Sequence, residues 1–113
     1  MASVTLTPPT QNTESVTPVK LEDVKNAVGK MVSVQGKVYS SKDIGSMVLV
    51  NLGAAYPNQL LTVALKGNAK ELGNQLDNKT IIVQGEVVDY KGKPEIIVTD
   101  SAKIKFWLWM NRF

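Results

Sequence analysis

The chain has no cysteine and no histidine among its 113 residues. Without thiols there is no disulfide and no cysteine nucleophile, and without imidazoles neither a Cys/His zinc site nor a Ser-His-Asp relay can be assembled. No run of about 20 uncharged apolar residues occurs, so no segment has the length of a transmembrane helix. Arginine is reduced to Arg112, which leaves twelve of the thirteen basic residues as lysine. Lysine is a hydrated point charge rather than a planar fork. A lysine surface therefore suits phosphate attraction better than bidentate reading of base edges, and sequence-specific recognition is not expected. Aromatic residues make up only 6% of the chain, with three tyrosines, two tryptophans and two phenylalanines.

What is present, 43% hydrophobic and 20% charged residues, is enough for one compact domain with its own core and too little for two. The net charge is +3; residues 1–29 hold two bases against three acids, so the excess of base lies in residues 30–113. An excess of this size fits the solubility charge of a small domain as well as a surface that attracts polyanions.

Residues 1–18 contain five threonines, three prolines and one charge, Glu14, with no apolar periodicity, and read as a flexible leader. The segment lacks the basic start and apolar stretch of an export signal, so the protein is either not exported or has lost its signal. At its end Thr17 can cap a helix and Pro18 suits a first helical position. Leu21, Val24 and Val28 then share a face before Gly29, which predicts a short amphipathic helix. Residues 19–106 read as the folded domain, and 107–113 as an apolar tail rich in tryptophan.

After Gly29 the apolar period drops to two. Val32, Val34 and Val38 alternate with polar residues in a first strand, Met31 to Tyr39. Ser40 to Ser46 reads as a loop and Met47 to Leu52 as a second strand. Gln59 to Lys66, with Leu61, Val63 and Leu65 on one side, reads as a third. Asn68 and Glu71 have the spacing of a helix cap with its reciprocal partner, in front of Ala69, Leu72 and Leu76. A fourth strand runs from Thr80 to Tyr90, Lys91 and Gly92 turn the chain, and Pro94 opens a fifth over Glu95 to Thr99, with Ile104 and Phe106 continuing the rhythm.

Five strands with one short helix between the third and fourth is the element order of the oligonucleotide/oligosaccharide-binding (OB) barrel, a small Greek-key barrel. Val34-Gln35-Gly36-Lys37-Val38 in the first strand is echoed by Val83-Gln84-Gly85-Glu86-Val87 in the fourth. Each places glycine in the inward apolar row, where a sharply bent strand needs a residue with no side chain. The echo therefore reads as shared curvature, not as a repeat.

The same residues, with Gly29-Lys30, Asn51-Leu52-Gly53, Tyr56-Pro57 and Tyr90-Lys91-Gly92-Lys93-Pro94-Glu95-Ile96, make residues 20–106 resemble the small bacterial OB-fold domains classed as nucleic-acid-binding or tRNA-anticodon-binding-like. The resemblance implies a binding module. In such barrels a ligand lies across the outer face of the second and third strands, between the loop joining strands one and two and the loop joining four and five. On this sequence that surface gathers Lys37, Tyr39, Lys42, Asn51, Tyr56, Thr62, Lys66, Tyr90, Lys91 and Lys93. Lysines would neutralise phosphates and tyrosines would stack bases, but no aromatic lies within strands two or three. Binding is expected to be weak, non-specific and salt-sensitive. Each tyrosine also has a plainer role, Tyr56 bracing a turn before Pro57, and Tyr39 and Tyr90 half-buried at strand ends.

Catalysis finds little support. Nucleases built on this barrel need arginine beside a calcium-binding carboxylate cluster, whereas Arg112 is terminal and Asp43, Asp89 and Asp100 are far apart in the chain. Neither an enzyme, a metal nor a cofactor is expected. Two readings follow: a module for single-stranded nucleic acid, and a protein-interaction or self-association module using the barrel surface or Trp107, Trp109 and Phe113 of the tail.

Overall fold

The computed structural model describes residues 16–106. Its strands are β1 (Thr17–Val19), β2 (Met31–Asp43), β3 (Val48–Leu52), β4 (Leu61–Leu65), β5 (Thr80–Tyr90), β6 (Lys93–Val98) and β7 (Ile104–Phe106). Three 3-10 helices intervene, η1 (Leu21–Asn26), η2 (Gly67–Leu76) and η3 (Ser101–Lys103). Antiparallel pairs β2–β3, β3–β4, β6–β5 and β5–β2, together with the parallel pair β4–β6, join the five central strands into a closed ring. This is a five-stranded barrel with the strand order of the OB fold. β1 and β7 are short edge additions, β1 parallel to β2 and β7 antiparallel to β5.

Closure depends on two strands that each serve both halves of the barrel. β2 pairs with β5 through Met31–Lys37 and with β3 from Val38 onward. β5 pairs with β2 through Thr80–Glu86 and with β6 from Val87 onward. The echoed glycines sit just before these changes of partner, Gly36 in β2 and Gly85 in β5. A Cβ on Gly85 would stand 2.6 Å from Ile96 Cγ2, and one on Gly36 would stand 3.0 Å from side-chain carbons of both Leu21 and Leu52. Curvature at these points brings a neighbour into the space a side chain would fill.

Strand alternation fills the interior with Val32, Val34, Val38, Val50, Leu52, Leu61, Val63, Leu65, Ile81, Val83, Val87 and Ile96, all with no exposed surface. η1 contributes Val24, followed by Ala27 at its C-cap, at the end of the barrel where β3 stops and Leu21 meets Gly53, and η2 contributes Ala69 and Leu76 at the other, where Gly73 faces Val48. Full burial of a side chain such as Leu76 contributes roughly 1.5–3 kcal/mol, so the two short helices act as stoppers as well as connections.

Three local expectations are corrected. Thr17 and Pro18 do not start a helix: Thr17–Val19 pairs with Val32–Val34, and an edge strand tolerates the missing proline N–H. The helix begins at Leu21, with Lys20 at the cap position and no side-chain cap. Ser40–Asp43 is strand rather than loop, continuing β2 opposite Val48–Asn51. Asn68 does not cap η2; its Oδ1 accepts a hydrogen bond from the Ser101 N–H at 2.8 Å, tying η2 to η3. Most of the leader and the tail with Trp107, Trp109 and Phe113 lie outside the described residues. Among the described residues no helix is long and apolar enough to cross a membrane.

Candidate functional site

The outer face of the half-barrel β2-β3-β4-β6-β5 carries a groove of about 510 Å³. Register decides which side chains face it. Ser40 opposes Asn51 and Lys42 opposes Leu49; Asn51 opposes Thr62, Thr62 opposes Glu95, and Tyr90 opposes Lys93. All of these outward residues line the groove. Its walls come from Ile44 beyond β2, from Tyr56, Pro57 and Gln59 between β3 and β4, and from the Tyr90–Glu95 hairpin.

Seven of the ten residues expected at a ligand surface meet in this groove: Lys42, Asn51, Tyr56, Thr62, Tyr90, Lys91 and Lys93. Three do not line it. Lys66 follows the last residue of β4, and its charge acts on Glu95. Lys37 pairs with Thr80 in the β2–β5 half of the barrel, and Tyr39 is the extra residue of a bulge where the register of β2 with β3 jumps from Val38↔Leu52 to Ser40↔Asn51.

The floor is a chain of hydrogen bonds that crosses three strands. Gln59 Nε2 donates to Thr62 Oγ1 at 3.0 Å, the Thr62 hydroxyl donates to Asn51 Oδ1 at 3.4 Å, and Asn51 Nδ2 donates to Ser40 Oγ at 3.1 Å. Asn51 is 6% exposed and Gln59 9%, so this is a buried polar layer between core and groove. The Gln59 carbonyl oxygen is buried without a partner among the described residues. An unsatisfied buried acceptor costs about 1–3 kcal/mol, so a donor reaching it would be stabilised.

Two lysines hold the groove's surroundings together. Lys93 Nζ donates to the Pro57 carbonyl at 2.9 Å, strapping the β5–β6 hairpin to the β3–β4 loop. Lys70 Nζ, on η2, donates to the Gly45 carbonyl in the β2–β3 loop. Lys91 instead stands over the Tyr90 ring, 5.3 Å from its centroid. Tyr56 and Tyr90 are 72% and 56% exposed, which leaves ring surface free for stacking. The Tyr56–Pro57 peptide bond is cis.

Glu95 was not among the residues expected here. It enters because the parallel β4–β6 pairing sets it beside Thr62, a neighbour 33 positions away in the chain. Its partial burial raises the carboxyl pKa above the usual value, an effect that Lys66 opposes. Gln59 and Ser40 were missed for a related reason. Both are uncharged and non-aromatic, and only the strand alternation combined with the bulge would have pointed to them. Among the described residues no cluster of three or more acidic, cysteine or histidine side chains could hold a metal.

No family model and no curated protein matches the sequence. Solved structures do match the fold. Asparaginyl-tRNA synthetase from Pyrococcus horikoshii superposes on 79% of this chain with a TM-score of 0.58 and 19% identity, over 22% of its own length. A chain described as an aspartyl-tRNA synthetase from Leishmania major Friedlin superposes on 88% of this chain with a TM-score of 0.56 and 19% identity, again over 22% of its own length. OBody AM2EP06, solved bound to hen egg-white lysozyme, matches 79% of this chain and 91% of itself with a TM-score of 0.57 and 17% identity. The chain thus spans about a fifth of the synthetases it resembles, and the likeness is one of fold.

Proposed function

We propose that this barrel binds single-stranded nucleic acid, weakly and without strong sequence preference, in the groove over β3 and β4, and that it carries out no catalysis. One observation carries the reading: lysines and exposed tyrosine rings from three separate segments converge on one groove whose floor is hydrogen-bonding. Lys42, Lys91 and Lys93 supply charge for phosphates, Tyr56 and Tyr90 supply faces for bases, and Asn51 and Thr62 offer polar contact. The matched synthetases act on tRNA by name, which agrees with this reading.

Counting Lys42, Lys91 and Lys93, about three phosphate contacts are expected, so the logarithm of affinity should fall with the logarithm of salt with a slope of about −2.1. Fluorescence titration of labelled oligonucleotides over a salt series measures it. No binding at micromolar protein and low salt, or binding indifferent to salt, would overturn the proposal.

A second reading is favoured by the apolar part of the same groove, Ile44, Leu49, Pro57 and Pro94, with Ile97 exposed on β6 nearby. Such a surface fits a protein partner, and the OBody–lysozyme complex has the same fold in a protein-bound structure. Binding that persists at high salt and requires Ile44 would support this second reading.

A further inference from the structure

We infer that Lys37 and Tyr39 form a second stacking station for nucleic acid, outside the groove, which extends the bound strand past the β2 bulge. The inference rests on the nucleic-acid reading above. Tyr39 is the bulge's extra residue and is 47% exposed, so it does not serve as core. Bulges re-aim side chains, and this one places two successive residues on the outside. Ser40 lines the groove floor, while Tyr39 stands next to it, just beyond the groove's edge. Lys37 Nζ lies 5.1 Å from the Tyr39 ring centroid. A ring with a cation over one face can offer its other face to a base, while the cation remains close enough to attract that nucleotide's phosphate.

The arrangement repeats the one at Tyr90, where Lys91 stands over the ring at 5.3 Å. The two lysine–tyrosine units flank the groove on opposite sides, one on β2 and the other where β5 turns into β6. Four strand spacings separate them, about 19 Å along the sheet surface. The turn before β5 adds charge near the β2 unit: the Lys79 carbonyl accepts from the Val38 N–H at 2.8 Å, and Lys79 is exposed. Asp77, the acid in the same turn, accepts from the Ser41 hydroxyl at 2.7 Å. A strand that only fills the groove would not reach Tyr39, but a longer one would.

Length dependence tests the inference. Wild type, Tyr39→Ala, Tyr39→Phe and Lys37→Gln are titrated with a labelled oligothymidylate of about four nucleotides and one of about twelve, the range that single OB barrels occupy. Tyr39→Ala is expected to weaken the long oligonucleotide by roughly 5- to 150-fold, as loss of one stacked base does, and to leave the short one within about twofold. Tyr39→Phe should restore the long-strand affinity, and Lys37→Gln should make the long strand's salt slope shallower by about 0.7. If Tyr39→Ala changes neither length, or both equally, the second station is refuted while the groove stands. If wild type binds neither length, the groove reading fails and takes this inference with it.

Discussion

The closure of the barrel makes a sharp demand at Gly85, and substituting alanine there tests it. The added Cβ would lie 2.6 Å from Ile96 Cγ2, where ordinary contact begins near 3.4 Å, so about 0.8 Å must be recovered. Ile96 has no exposed surface, and it pairs with Val87 directly across β5 and β6. A β-branched side chain has little freedom at χ1, so the methyl cannot simply swing away. Either Ile96 leaves its rotamer or the two strands separate at their crossover. Overpacking of this kind costs about 1–3 kcal/mol, and replacing glycine returns about 0.4–1 kcal/mol through the unfolded chain. Taking the middle of each range, about 2 and about 0.7 kcal/mol, a net loss of about 1.3 kcal/mol follows, which for a domain of this size lowers Tm by roughly 5–10 °C. Urea or thermal unfolding of Gly85→Ala measures the loss, and Ile96→Ala supplies the control. Alone, the Ile96 truncation should cost about 2–5 kcal/mol; combined with Gly85→Ala it should cost about 1 kcal/mol less than the sum, because the clashing methyl is gone. A Gly85→Ala protein as stable as wild type, or strictly additive losses in the double variant, would refute the crossover reasoning.

The opposite sign is expected at Gly73, where an added Cβ meets Val48 at 3.5 and 3.7 Å; Gly73→Ala should raise stability by about 0.4–1 kcal/mol in the same unfolding assay. For Glu95→Gln the readout is the pH profile of oligonucleotide binding. The wild-type carboxylate repels phosphate when ionised and loses that charge as pH falls through its raised pKa, so wild-type affinity should climb towards acid while the variant binds more tightly near neutrality and responds less to pH. An unchanged profile would remove Glu95 from the groove's electrostatics. Lys93→Met should make the salt slope of binding shallower by about 0.7, since the ammonium keeps its charge beside the neutral Pro57 carbonyl, and should speed amide exchange in the β3–β4 loop. Lys42→Gln and Lys91→Gln should each make the slope shallower by about 0.7.

Much of the barrel was legible because its determinants are local. Period-two alternation in Met31–Val38 and Thr80–Val87 marks strands that bury one face, and a glycine in each inward row marks the bend. What could not be read depends on partners distant in sequence. Ser40–Asp43 has the composition of a loop and is held as strand by Val48–Asn51. Thr17–Val19 is too short to show a period and is strand only because Val32–Val34 receives it. The groove divides in the same way. Charge and aromaticity pointed to Lys42, Tyr56, Tyr90 and Lys91. The polar chain through Gln59 and the carboxylate of Glu95 arise from cross-strand register and from a parallel pairing that no local pattern encodes. Lys37 and Tyr39 were expected at the ligand surface, but Lys37 pairs with Thr80 of β5 and Tyr39 is the extra residue of a bulge, so neither lines the groove.

β1 and β7 leave the barrel from the half that has no part in the groove. They occupy the two edges of β1-β2-β5-β7, three strand spacings or about 14 Å apart. A host protein joined directly at Thr17 and at Phe106 would therefore approach the barrel from behind. The groove would stay open to traffic from solution.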